Sequence, residues 1–256
     1  MDLQLSDKRV LITGGSKGIG FAVAQAFAAE GASVVIVGRD PEKLDAAKAR
    51  LSRHGATIET HATDLAMPRS REELAETVGP VDILVNNAGA IPGGDLLTLS
   101  MERWVEAWQL KVFGYIHLTQ LFLKRMKAAG GGTVVNIIGD LGRSPRWDYV
   151  CGTTGNASLI AFTEAVGAKS VDWNVRVFGV NPAGTRTDRV VEVARGQAQS
   201  TLGDPDRWAE MLANRPFGRL AEPEEIASVV AMLASPRAGY LSGTVIDVDA
   251  GLRNRK

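Results

Sequence analysis

Eight residues near the start of the chain, Thr13-Gly14-Gly15-Ser16-Lys17-Gly18-Ile19-Gly20, have the composition of an anion cradle. Val10, Leu11 and Ile12 before them form a short apolar run bounded by turn residues, as a buried parallel strand does. Phe21, Ala22, Ala24, Phe27 and Ala28 after them repeat at helical spacing. A helix begun there turns its free N–H groups back on the turn. Gly14, Gly18 and Gly20 remove side chains where backbone must lie close to something else. That combination suits a phosphate, and a dinucleotide pyrophosphate is the usual occupant. A tight turn with close helix packing uses the same glycines, but a strand before and a helix after are the context the binding motif requires.

The elements that must position this turn alternate along the whole chain. Strands are predicted at Ser33–Val37, near Thr57–His61, and at Val81–Val85, Thr133–Ile138, Val175–Val180 and Thr244–Val248. Between them lie helical patterns. Asp40-Pro41 caps one that runs to about His54, and Pro68 opens a second. Others span about Met101–Ala128, Thr154–Lys169 and Pro223–Ala234. Strict alternation of this kind argues a doubly wound α/β sheet of seven mostly parallel strands with helices on both faces. No linker, repeat or low-complexity stretch divides residues 1–256, so one domain is expected, with the polar, helix-patterned segment 187–215 as a substrate lid.

Composition narrows the classes of function. The 256 residues are 45% hydrophobic with a formal net charge of zero, which offers no nucleic-acid or membrane surface. The one cysteine, Cys151, excludes an intramolecular disulfide and a cysteine-based metal site, and His54, His61 and His117 lack metal-ligand spacing. Acid stands near the N-terminus where a signal peptide carries base, and no apolar run approaches the roughly 18 residues of a membrane span. A soluble, cytoplasmic protein acting on a small molecule, with no metal, is expected.

Several spaced motifs resemble the short-chain dehydrogenase/reductase superfamily over nearly the whole chain. Thr13–Gly20 is similar to its cofactor loop, and Asn86-Asn87-Ala88-Gly89 to its motif after the fourth strand. Asp64, followed by Leu65, resembles the acid that holds the adenine. Asn181-Pro182-Ala183-Gly184, followed by Thr185, resembles the loop beside the nicotinamide, and Ser242–Gly251 the C-terminal strand. The resemblance implies a Rossmann fold, cofactor contacts at these residues, and a homodimer or homotetramer formed through the long central helices and the C-terminal strand.

Charge speaks to the cofactor. An acid at the end of the second strand recognises the ribose 2′-hydroxyl of NAD, whereas arginine there suits a 2′-phosphate. Gly38 holds that place, with Arg39 next and Lys17 in the glycine loop, which favours NADP(H) over NAD(H). The alternative is that Arg39 and Lys17 are ordinary solvated bases.

The resemblance breaks at the residues that handle protons. The family's serine position falls on Gly139, its tyrosine on Gly152, its lysine on Asn156, and its asparagine on Lys111. Lysine and amide thus stand exchanged. One reading keeps the positive charge in the pocket through Lys111, with Asn156 hydrogen-bonding the ribose. The other makes Lys111 a surface lysine and Asn156 a helix-cap amide. Alcohol or ketone chemistry still needs a proton carrier in reach of the reacting oxygen. Tyr149 is the nearest phenol and Asp140 and Asp148 the nearest carboxylates. Tyr149 either swings into the space left by Gly152 or packs on Trp147 as a loop aromatic. The lid segment carries Arg186, Arg189, Arg195, Arg207 and Arg215 among apolar residues, which suits a hydrophobic substrate with an acidic end and equally a solvated amphipathic helix. The leading expectation is an NADP(H)-dependent oxidoreductase acting on a carbonyl or alcohol with an atypical active site. The others are a protein that binds NADP(H) without turnover, and non-redox chemistry with Lys111 as electrophile.

Overall fold

The computed structural model describes residues 2–255. Seven strands form one sheet in the order β3-β2-β1-β4-β5-β6-β7. They are β1 (Arg9–Thr13), β2 (Ser33–Gly38), β3 (Ile58–Ala62), β4 (Ile83–Asn86), β5 (Gly132–Ile137), β6 (Val175–Pro182) and β7 (Thr244–Val248). All six pairings are parallel, where the sequence allowed an antiparallel edge. Parallel pairing needs crossovers, and eight helices supply them: α1 (Gly18–Ala29), α2 (Pro41–Leu51), α3 (Pro68–Val78), α4 (Met101–Leu110), α5 (Val112–Ala129), α6 (Val150–Ser170), α7 (Asp188–Leu202) and α8 (Pro223–Ala234).

The side-chain period of two sorts each strand between two cores. Val10 and Ile12 of β1 pack with Phe27 of α1 and Ile226 and Val230 of α8. Leu11 between them points to the opposite face, against Leu74 of α3 and Phe122 of α5. Both faces are buried, which explains why the strands read as continuous Val/Ile/Leu runs. Chain order reverses between β1 and β4, and the carboxyl ends of β1, β2, β4 and β5 open there. That reversal is where ligands enter doubly wound sheets.

Three helical expectations change in ways that matter for the site. The helix expected to run unbroken from Met101 to Ala128 bends at Lys111, which has φ −88° and ψ −60° and ends α4 as it starts α5. α6 begins at Val150, four residues before the predicted start, so Gly152 lies inside a helix. The 187–215 segment is α7 followed by a 3-10 stretch, Pro205–Leu212, with Gly203 at φ +74° making the break.

Candidate active site

A cleft of about 690 Å³ lies along the carboxyl edge of the sheet, from the glycine turn to the loop before α6. At its floor, β1 and β4 are tied by polar side chains. The Thr13 hydroxyl accepts the Asn87 and Ala88 N–H groups at 2.9 and 3.0 Å. The Asn87 amide donates to the Thr13 and Gly14 carbonyls. A side chain on Gly20 would begin 2.2 Å from the Gly14 carbonyl oxygen, so glycine there is what lets α1 press against the turn. α1 has no side-chain cap and no acid in its first turn, so its N–H groups face the cleft uncompensated.

The far end of the cleft is basic. Lys17, Arg39 and Lys43 line it, with Asp40 paired to Lys43 at 2.6 Å. Lys43 was not singled out by sequence, because it reads as part of a solvated helix turn. Gly38 leaves this end open: a side chain there would first meet Leu44 and Ser16 at 3.4 and 3.5 Å.

Most residues expected at a cofactor line the cleft: Gly14, Ser16, Lys17, Gly18, Ile19, Arg39, Leu65, Asn87, Ala88, Gly89, Pro182, Gly184 and Thr185. Three do not. Gly20 is packed beneath Gly14. Asp64 is exposed, and its carboxylate accepts the Ala66 N–H at 3.0 Å, leaving Thr63 and Leu65 to form the wall. Asn156, expected at a ribose, is only 3% exposed and sealed under Gly139.

The proton-handling candidates sit at the other end. Lys111, at the α4–α5 bend, sends its amine inward to donate to the Ile138 carbonyl at 2.6 Å. One turn on, the Tyr115 hydroxyl donates to the Ile137 carbonyl at 2.9 Å, so both side chains hold the end of β5. Burial, with the nearby positive charge of Arg189, lowers the Lys111 pKa to about 8.

Tyr149 occupies the volume that a side chain on Gly152 would need. A Cβ built on Gly152 falls 1.9 Å from Tyr149 Cε1 and 2.2 Å from Cζ. Trp147, the alternative partner, is 59% exposed. The loop backbone that carries the ring is braced. Tyr149 forms a bridge with Gly94, whose N–H donates to the Asp148 carbonyl at 2.9 Å, and the Thr153 N–H closes on the Tyr149 carbonyl. Burial pushes the phenol pKa up, against the opposing pull of Arg189, so the hydroxyl keeps its proton at neutral pH.

Gly139 is occupied from behind in the same manner. Its φ is +136°, a backbone that L side chains rarely adopt, and a Cβ there would meet the Asn156 amide nitrogen at 2.8 Å. The Asn156 side-chain amide oxygen is buried with no partner among the described residues. Asp140, next in sequence, lines the cleft with its pKa raised by burial, partly offset by the Leu141 backbone N–H and then by Arg215.

Comparison with known proteins places this architecture. Residues 8–198 match the short chain dehydrogenase family, and the chain belongs to it. It is an oxidoreductase family. The chain is 33% identical over 260 residues to an oxidoreductase of Bacillus subtilis, YvrD, covering 98% of each chain. It is 32% identical over 254 residues to the L-xylulose reductase of Bos taurus, again over 98% of each. Among solved structures, L-sorbose reductase from Gluconobacter frateurii, complexed with NADPH and L-sorbose, superposes with a TM-score of 0.95 at 31% identity over all of both chains.

Among the described residues there is no helix long and apolar enough to cross a membrane, and no group of three side chains that would hold a metal ion.

Proposed function

We propose that this protein is an NADP(H)-dependent oxidoreductase of a carbonyl or alcohol substrate, in which Tyr149 and Lys111 stand in for the tyrosine and lysine whose positions fall on Gly152 and Asn156. The observation that carries this is the Tyr149 ring over Gly152, in the cleft that holds the glycine turn. The cofactor fits the residues present. The cradle under Gly14 admits no side chain at Gly20, and α1 offers unpaired N–H groups to a pyrophosphate. Lys17, Arg39 and Lys43 would hold a 2′-phosphate, and the NADPH complex of L-sorbose reductase supports the same choice. Pro182, Gly184 and Thr185 would flank the nicotinamide end. NADP(H) supplies the hydride.

The chain's own residues do the rest. The Tyr149 hydroxyl, kept neutral by burial, donates its proton to the substrate oxygen as negative charge develops there. The Lys111 ammonium, protonated below about pH 8, stabilises that charge from the opposite helix. Asn156 does not reach the cleft; it fills the volume behind Gly139 and fixes the turn before Asp140. α7, whose Arg189 donates to the Ile91 carbonyl at 2.7 Å across the cleft mouth, acts as the lid.

A working assembly of two or four copies in the cytoplasm belongs to this reading. Met101, Val105 and Phe113, exposed apolar residues along α4 and α5, support a covered face there. The test is NADPH consumption across a panel of carbonyl compounds, with Tyr149→Phe beside the wild type. Turnover that depends on the phenol supports the proposal. Tight NADPH binding with no turnover on any compound favours a binding-only role and ends it.

A further inference from the structure

Positive charge at the substrate end of the cleft is only partly countered. Arginines elsewhere on the lid segment have partners: Arg186 pairs with Glu222 at 2.9 Å, Arg195 with Asp206 at 2.6 Å, and Arg207 with Glu210 at 2.7 Å. Among the described residues, Lys111, Arg189 and Arg215 take part in no ion pair, and all three line the cleft. Arg189 makes one side-chain hydrogen bond, from Nη2 to the Ile91 carbonyl, which leaves its other donors open. That bond anchors the first turn of α7 to the opposite wall, so the guanidinium is held over the mouth. Arg189 is close enough to Lys111 and Tyr149 for its charge to bear on both. Arg215 approaches from the other side, its Nη1 3.8 Å from where a Gly184 side chain would start. Asp140 and Asp188 line the same cleft; neither lies within ion-pair distance of these cations, and Arg215 is near enough to Asp140 for its charge to bear on it, which leaves Arg189 and Lys111 without an acidic neighbour of that kind.

Like charges in a partly desolvated cleft repel, and an anion between them would relieve the cost. Guanidinium also recognises carboxylate through paired N–H donors, a geometry that ammonium lacks. We infer that the substrate carries a carboxylate, received by Arg189, so the protein selects oxo acids and hydroxy acids over neutral sugars or ketones. The inference rests on the cleft being the site of carbonyl–alcohol chemistry. It adds a second consequence. A carboxylate beside Arg189 offsets the positive charge that destabilises the Lys111 ammonium, so the acidic substrate favours the protonated lysine at the moment it is needed.

The test uses the full chain loaded with NADPH, which forms dead-end complexes with hydroxy acids and so needs no turnover. Affinities of 2-, 3- and 4-hydroxy acids are measured by calorimetry against their methyl esters, with NADPH affinity in parallel, for wild type, Arg189→Met and Arg189→Lys. At least one acid is expected to bind ten times more tightly than its ester. Arg189→Met should erase that preference and leave NADPH affinity within twofold, and Arg189→Lys should restore part of it. Equal binding of acids and esters overturns the inference, as does absence of any acid binding. So does an Arg189→Met protein that binds NADPH at least tenfold more weakly yet keeps its acid preference when saturated with NADPH, because the guanidinium then serves a cofactor phosphate. Reduction of neutral ketones with no acid preference defeats this inference alone. Failure to bind NADPH, or to reduce any carbonyl compound, defeats the functional reading beneath it.

Discussion

Gly152→Ala adds one methyl group and should disable the enzyme without unfolding it. The new Cβ would lie 1.9 Å from Tyr149 Cε1 and 2.2 Å from Cζ, whereas carbon atoms rest about 3.5–4.0 Å apart. The ring must therefore move by well over 1 Å. It can do so by rotating its side chain, because the clash is with ring atoms and not with backbone. Alanine is preferred to glycine in a helix by at most about 0.5–1 kcal/mol, and by less in the first turn where Gly152 lies, which offsets part of the packing lost when the ring leaves. Melting temperature should change by only a few degrees. A displaced general acid costs about 10²–10⁴ in rate, equivalent to about 3–5 kcal/mol of transition-state stabilisation. The assay is NADPH consumption under saturating substrate, with circular dichroism to show the fold intact. Tyr149→Phe should lose a similar factor, and the double variant little more than either alone, since both remove one function. A Gly152→Ala protein with wild-type kcat would refute the assignment of Tyr149.

Other expectations follow from the same geometry. Gly38→Asp places a carboxylate at the basic end of the cleft, its Cβ in ordinary contact with Leu44 and Ser16, so NADPH affinity should fall at least tenfold, about 1.4 kcal/mol, while NADH affinity rises; paired fluorescence titrations read both. Reduction should decline as pH rises through about 8, where the Lys111 ammonium loses its proton, and a pH–rate profile of Lys111→Met should lack that limb. The folded chain releases this proton near pH 8 and the unfolded chain near 10.5, so the unfolded state binds more protons in between. Native stability should gain up to about 3 kcal/mol across that window, and Lys111→Met should flatten the rise in urea titrations. Gly20→Ala forces a Cβ to 2.2 Å from a backbone oxygen that cannot rotate away, and should cost about 1–3 kcal/mol of stability together with nucleotide binding.

The sheet was legible because parallel strands buried on both faces leave apolar runs such as Val34–Val37 and Leu84–Val85, and because proline and glycine mark the helix ends at Pro41, Pro68, Pro223 and Gly130. The glycine turn was legible because its spacing has a steric reason. The bend at Lys111 was not: the hydrophobic pattern continues through it, the Lys111 and Tyr115 N–H groups still donate four residues back, and no proline or glycine announces it. At Gly152 the sequence left two seats open for Tyr149, and choosing between them took the bridge to Gly94, a contact between distant loops. Asn156 was placed at a ribose by its helix position alone. Its burial depends on the glycine-only backbone at Gly139, which opens room behind the strand end. Lys43 was missed because a base one turn into a helix has no local mark that separates a ligand from a solvated side chain.

The claim on which the rest stands is that this cleft holds a 2′-phosphorylated dinucleotide. Equilibrium titration of the purified protein with NADPH and NADH, followed by nicotinamide fluorescence, measures it directly. NADPH should bind at least ten times more tightly than NADH, with the gap closing as Arg39 is replaced by alanine. Equal affinities, or a preference for NADH, would contradict the account.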